Sequence, residues 1–67
     1  MLGAQQIKNI ENRLDDLAAV FYDTRNAEVK ERNRGYCQGI AYTLGLIGYE
    51  IKWNDNGRKS TVQQCQD

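Results

Sequence analysis

The sequence predicts a mainly α-helical fold in which a two-helix hairpin is followed by a short two-stranded antiparallel ribbon. Three observations support this prediction. Apolar residues recur at helical spacing in the first third of the chain, a second helical segment ends at a glycine, and an alternating segment precedes an Asn-Gly turn. With 67 residues, the chain has room for one domain, residues 1–67.

The first helix is predicted over residues 4–22 because one stripe of apolar side chains repeats every three or four positions. The stripe consists of Ile7, Ile10, Leu14, Leu17 and Phe21. The acidic residues Glu11, Asp15 and Asp16 are assigned to the outer, solvent-facing side. The register is lost after Phe21, so a break is expected between residues 23 and 26.

The second helix is predicted over residues 27–47, with Asn26 as its N-cap and Gly48 as its C-terminal stop. Its main apolar stripe is Tyr36, Ile40, Leu44 and Ile47, with Tyr42 and Leu46 on the opposite side. No Gly or Pro lies between Ala4 and Arg34, so one continuous helix is the alternative to the hairpin.

The β-hairpin is predicted over residues 49–62. Tyr49, Ile51 and Trp53 alternate with charged residues, which is the period of a half-buried strand, and the Asn56-Gly57 pair is typical of hairpin turns. A two-residue turn or a four-residue loop would each place Val62 on the same face as Ile51. Residues 63–67 are polar and are expected to fray.

Composition argues against several function classes. Nine Lys and Arg balance nine Asp and Glu, so net charge does not steer the chain to nucleic acid or to an anionic membrane. There is no histidine, and Cys37 and Cys65 lack the paired spacing of a zinc site. We therefore expect no disulfide framework, no metal, no cofactor and no catalytic site, and hence not an enzyme.

The uncharged stretch 35–49 is shorter than the roughly 20 apolar residues that a spanning helix needs, so no membrane segment is expected. The residues Met1–Ala4 show no basic region before an apolar stretch, so no signal peptide is readable and a cytoplasmic location is expected.

The same stretch is apolar almost all round a helix, which one partner helix cannot cover. Since a chain of this size is marginal as a monomer, the sequence predicts a homodimer or another protein contact. The alternative is complete internal burial of this helix by the first helix and the strand pair. The predicted contact residues are Tyr36, Gly39, Ile40, Tyr42, Leu44, Leu46, Ile47, Tyr49 and Trp53. Gly35 and Gly39 share a helix face and fit either close packing on the first helix or a contact between chains.

The segment RGYCQGIAYTLGLIGYEIK, residues 34–52, together with the Asn-Asp-Asn-Gly turn at 54–57, resembles small accessory proteins encoded by phages and prophages of Gram-positive bacteria. This resemblance implies a helical hairpin closed by a β-hairpin, often dimeric and acting on a host protein. Counter-defence inhibitors and transcription modulators both occur among such proteins.

Three functional hypotheses follow. The first is a non-enzymatic, homodimeric interaction protein that binds and modulates or inhibits a larger host or defence protein. The alternative is a small dimeric nucleic-acid-binding transcriptional regulator that uses a basic patch of Arg25, Lys30, Arg32 and Arg34. The third is a structural subunit of a larger assembly.

Overall fold

The computed structural model describes residues 1–65 and contains two helices followed by a two-stranded antiparallel sheet. The elements are α1 (Ala4–Asp23), α2 (Ala27–Leu46), β1 (Tyr49–Asn54) and β2 (Lys59–Gln64). This confirms the predicted fold class. It also decides for the hairpin over one continuous helix. Within residues 1–65, no helix is both long and apolar enough to cross a membrane.

Short polar side chains make the break between the helices. The backbone N–H of Asn26 donates to Oγ1 of Thr24 over 3.1 Å. The Oδ1 of Asn26 accepts from the backbone N–H groups of Glu28 and Val29, at 2.9 and 3.2 Å. These bonds satisfy amides that a helix start otherwise leaves free, which confirms Asn26 as the N-cap of α2.

At its other end, α2 stops where the chain enters a left-handed conformation. Gly48 has φ +86°, as predicted for a glycine stop. In the sheet, Ile51 pairs with Val62 and Trp53 with Ser60, so the predicted shared face of Ile51 and Val62 is confirmed.

The strand pairing extends further than the sequence indicated. Gln63 and Gln64 belong to β2, and the N–H of Cys65 donates to the carbonyl of Gly48 over 2.8 Å. The prediction of a frayed tail is therefore wrong for these three residues, because backbone bonds of Gln63 and Cys65 to the β1 side hold the chain and Gln64 lies between them in the strand. Residues 66 and 67 lie outside the described part of the chain.

The core lies where both helices meet the inner face of the sheet. Leu14 of α1 is completely buried and clusters with Leu44 of α2, Tyr49 of β1 and Val62 of β2. Half-buried Ile7, Ile10, Cys37, Ile40 and Ile51 pack around this cluster. Each of the four elements thus contributes one side chain to this buried cluster, which fixes the hairpin ribbon against the helices.

Two acidic residues of α1 cover the outer edge of β2. Asp15 Oδ1 accepts from the backbone N–H of Ser60, and Glu11 Oε2 from that of Val62, each over 2.8 Å. Residues four apart on a helix lie about 6 Å apart along its axis, close to the rise of about 6.8 Å between alternate strand residues. The assignment of Glu11 and Asp15 to a solvent-facing side is therefore wrong, since each binds a strand amide.

The turn between the strands also docks on α1. Asp55, Asn56 and Gly57 all have positive φ, which the Asn-rich, Gly-containing turn sequence tolerates. The hydroxyl of Tyr22 lies against Gly57 at the position a Cβ atom would occupy. Arg58 Nη2 is 3.0 Å from the Asp23 carboxylate, whose hydrogen bond raises the pKa of Arg58. The end of α1 thus fixes the tip of the hairpin.

Candidate functional site

The exposed side of α2 carries a row of large apolar side chains. Tyr42 is 71% exposed and Leu46 is 69% exposed, and Tyr36 and Ile47 are about half exposed. A single exposed apolar residue is ordinary, whereas four on one side of the same helix form a patch of the kind that marks an interaction surface.

Small residues run between these large ones. Gly35, Gly39 and Thr43 follow each other at intervals of four, which places them in one row along the helix. A Cβ atom added at Gly35 or Gly39 would meet no atom of residues 1–65 within 4 Å, apart from its chain neighbours and the backbone of its own helix turns. The Thr43 hydroxyl donates to the carbonyl of Gly39 over 2.9 Å, so it is satisfied within the helix. The row is therefore a furrow open to the outside.

These residues form one surface, which we call the α2 face: Gly35, Tyr36, Gly39, Tyr42, Thr43, Leu46 and Ile47. Tyr42 and Leu46 form a ridge on one side of the furrow, and Tyr36 with half-buried Ile40 forms the ridge on the other. Leu2 and Ile10 extend the apolar lining beyond α2, in a shallow groove of about 610 Å³.

The open space beside Gly35 and Gly39 decides between the two explanations for these glycines, which were close packing on α1 and a contact between chains. Close packing of Gly35 and Gly39 on α1 is wrong, because the side on which a Cβ would project is open. In a helix each glycine costs about 1 kcal/mol relative to alanine. Within residues 1–65, no close approach of another element on the Cβ side offsets that cost at these two positions.

Not every predicted contact residue belongs to the α2 face. Leu44 and Tyr49 are buried in the core, and the Tyr49 hydroxyl accepts from the backbone N–H of Leu2 over 3.1 Å. Their assignment to a contact surface is therefore wrong, because the ribbon and α1 already cover them. Trp53 is 40% exposed but lies on a different side of the molecule.

Trp53 lines a second concavity, of about 290 Å³, between the helices and the hairpin tip. Phe21 and Tyr22 lie beside it with their rings edge to face, 5.1 Å between centroids. Cys37 is also part of the lining, and burial raises the pKa of its thiol. A thiol held protonated in an apolar lining suits packing rather than nucleophilic attack.

The four basic residues proposed as a patch are dispersed. Lys30 Nζ lies 4.8 Å from the centroid of the Phe21 ring, and Arg34 Nη1 is 3.5 Å from the Glu31 carboxylate. Residues two apart on a helix point about 200° apart, so Arg32 lies on the other side of α2 from both. Arg25 precedes the helix. The structure therefore does not gather these residues into one basic surface.

Sequence reasoning missed Thr43, Leu2 and Ile10 as parts of the groove. A signal existed for Thr43, because it continues the four-residue spacing of Gly35 and Gly39. No sequence signal existed for Leu2 and Ile10, since their position depends on how the helices dock.

Among residues 1–65, no group of three or more His, Cys, Asp and Glu side chains is placed to hold a metal ion. The chain matches no protein-family model, no curated protein and no solved structure in the three comparisons.

Proposed function

We propose that this chain is a non-enzymatic protein-interaction module that acts as a homodimer and modulates a larger protein through its α2 face. The supporting observation is the open furrow of Gly35, Gly39 and Thr43 between two ridges of large apolar side chains. A surface of this composition remains unfavourably hydrated until another apolar surface covers it.

The shape of the α2 face favours a helix as the occupant. Rows at intervals of four are the ridges and grooves that interdigitate when two helices pack at about −50°. Glycines in the central groove let the second backbone approach closely. We therefore propose that the partner presents the apolar side of an amphipathic helix, whose large side chains enter the furrow beside Tyr42 and Tyr36.

The likeness to phage-encoded accessory proteins supports a host or defence protein in the bacterial cytoplasm as that partner. A small protein that covers a helix needed for assembly or for substrate access inhibits its target without any chemistry of its own. In this proposal the α2 face is reserved for the partner, and dimerisation uses another surface.

Affinity capture from the source cell tests this proposal with three proteins: wild type, Leu46→Lys and Asn12→Lys. Lysine at position 46 places a charge on the α2 face at a helix end where a cation is tolerated. Asn12 is an exposed residue of α1, and its substitution adds the same charge elsewhere. Captured proteins are then purified and titrated calorimetrically.

We expect a protein that binds wild type and Asn12→Lys, and whose affinity for Leu46→Lys is weaker by about tenfold or more. Equal capture by Leu46→Lys would contradict a role for the α2 face. Reproducible capture of nothing by the wild type would contradict a protein partner in that cell.

A further inference from the structure

The two edges of the sheet differ. Gly48 pairs with Cys65 through a backbone hydrogen bond, so in this register residues 50, 52 and 54 direct their backbone groups towards β2. The backbone groups of Tyr49, Ile51 and Trp53 consequently point away from β2. Within residues 1–65, the N–H groups of Ile51 and Trp53 make no hydrogen bond to any partner. By contrast, Glu11 and Asp15 occupy the corresponding amides of β2.

An uncovered strand edge is a template for another strand, because each free N–H and C=O can be satisfied by backbone from a second chain. α1 protects the β2 edge with its carboxylates, whereas at the β1 edge no described residue bonds the N–H groups of Ile51 and Trp53, although Tyr49 at the start of the strand is buried. The occupant of the β1 edge can be inferred from the sequence of β1 itself.

We propose that β1 pairs antiparallel with β1 of a second copy, across a two-fold axis through Ile51, and so forms a four-stranded sheet. The segment Tyr49-Glu50-Ile51-Lys52-Trp53 reads aromatic, acidic, apolar, basic, aromatic. Antiparallel pairing about its centre places Glu50 opposite Lys52 of the other copy, and Tyr49 opposite Trp53. The charged residues make the strand complementary to itself, while the Tyr49 side chain stays in the core of its own copy.

The alternating direction of the backbone groups along β1 agrees with this register. Tyr49, Ile51 and Trp53 have outward backbone groups, so residues of this set must face one another across the new interface. Pairing Ile51 with Ile51 meets that condition and places Glu50 and Lys52 at positions without mutual backbone bonds, where facing side chains are closest. Opposite charges there contribute about 0.2–1 kcal/mol per pair, and a two-fold interface contains each pair twice.

The neighbouring registers are disfavoured by the same charges. Moving the pairing so that Tyr49 faces Ile51 puts Glu50 opposite Glu50. Moving it the other way, so that Ile51 faces Trp53, puts Lys52 opposite Lys52. Like charges directly opposite are destabilising in an antiparallel pair. Glu50 and Lys52 therefore select one register, and they make the β1 edge favour β1 of a second copy as its partner.

This inference deepens the homodimer in the proposed function and rests on that part of it alone. The partner contact of the α2 face is tested by Leu46→Lys, whereas the β1 contact is tested by charge changes at positions 50 and 52. If one of these two contacts is disproved, the other can still be measured.

Sedimentation velocity over micromolar concentrations tests the pairing with wild type, Glu50→Lys, Lys52→Glu and the double swap Glu50→Lys/Lys52→Glu. The two single variants are also mixed in equal amounts. Lys59→Glu is the matched control, because Lys59 lies on the same outer face of the sheet but on β2. Circular dichroism checks that every variant retains the fold. Retention is expected because the side chains at positions 50, 52 and 59 project from the outer face of the sheet, where Glu50 accepts one hydrogen bond from Gln63 Nε2 over 3.0 Å.

We expect each single variant to dimerise about tenfold or more weakly than wild type, because two attractive pairs become repulsive. The double swap and Lys59→Glu should dimerise like wild type. The mixture should form a heterodimer, since a copy with two lysines then faces a copy with two glutamates. This rescue by mixing is specific to pairing of Glu50 with Lys52.

Four results would overturn the proposal: a strictly monomeric wild type, dimerisation of Glu50→Lys at wild-type strength, a mixture no stronger than its components, or a double swap that stays weak. A dimer that Leu46→Lys abolishes and Glu50→Lys leaves intact would assign self-association to the α2 face instead.

Discussion

The Asp15 carboxylate accepts two hydrogen bonds from Ser60, one from the backbone N–H and one from the hydroxyl, both over 2.8 Å. Ser60 is buried at the edge of β2, and Asp15 lies in the middle of α1. One carboxylate thereby satisfies two donors that the core has removed from water. The bond ties the C-terminal ribbon to the N-terminal helix, and several consequences of this and related contacts can be measured.

Asp15→Ala should lower the free energy of unfolding by about 1–3 kcal/mol, because it leaves the N–H of Ser60 without an acceptor and leaves the Ser60 hydroxyl only the carbonyl of Glu11, 3.2 Å away. Urea denaturation at fixed protein concentration gives the difference. Asp16→Ala is the matched control, since Asp16 is exposed and its removal should change stability by no more than about 0.5 kcal/mol. Equal effects at the two positions would show that the bond to Ser60 contributes nothing.

Gly57→Ala should destabilise the protein more than Gly48→Ala. Both glycines have φ +86°, so both substitutions carry the strain of a left-handed alanine, about 1–2 kcal/mol. Only at position 57 does the new Cβ meet the Tyr22 hydroxyl, whereas at position 48 it meets open space. Thermal unfolding of both variants isolates the steric part. Tyr22→Phe in the Gly57→Ala background should recover some of it, and no recovery would contradict the contact.

Leu44→Ala should cost about 2–5 kcal/mol, because Leu44 is buried among Leu14, Tyr49 and Val62 and its truncation leaves a cavity. In a chain of this size such a loss approaches the whole stability. Leu46→Ala removes the same atoms from a side chain that is 69% exposed, and should change stability by less than about 0.5 kcal/mol. Chemical denaturation of Leu44→Ala and Leu46→Ala compares a core position with a surface position. A similar loss of unfolding free energy in both variants would place Leu46 in an internal contact.

Gly39→Ala should stabilise the isolated chain by up to about 1 kcal/mol, because alanine favours the helix and its methyl group meets open space. The same methyl group should weaken capture of the partner, since it fills the furrow of the α2 face. Gly39→Ala should therefore raise the free energy of unfolding measured by denaturation and lower the amount of partner captured. A variant that is more stable and binds equally well would show that the partner does not approach Gly39.

Cys65 should be alkylated before Cys37 when the folded protein meets iodoacetamide at neutral pH, as followed by mass spectrometry. Cys65 is exposed, whereas Cys37 is half-buried and burial raises the pKa of its thiol. The folded state therefore holds the Cys37 proton to higher pH than the unfolded state does. The alkylation rate of Cys37 should rise at a higher pH in buffer than in urea, where the thiol is exposed to water and its pKa is no longer raised by burial. Coincident pH profiles would contradict the desolvation.

Several features of the fold were predictable because they are local. The stripe of Ile7, Leu14 and Leu17 specifies an amphipathic helix from spacing alone. Asn26 caps α2 with its own side chain, and Gly48 ends it with its own backbone, so neither depends on distant residues. The alternation around Ile51 likewise fixes which strand residues share a face. Local chemistry and periodicity were sufficient for these elements.

The candidate site was only partly predictable. Tyr42, Leu46 and Gly39 were identified because α2 is apolar almost all round, but that same property hides which side faces the core. Helical spacing placed Tyr36 and Ile47 on the same predicted stripe as Leu44. In the structure the ribbon docks over Leu44 and buries it, whereas Tyr36 and Ile47 remain exposed.

By itself, the sequence determined the number, type and approximate ends of the helices and strands, since each is specified by residues within a few positions of one another. Only the tertiary structure decided that Glu11 and Asp15 bind β2. It also decided that, among residues 1–65, the furrow at Gly35 and Gly39 stays open and the N–H groups of Ile51 and Trp53 stay unbonded. The reason is physical: these properties depend on the relative placement of whole elements, which contacts between residues far apart in sequence determine.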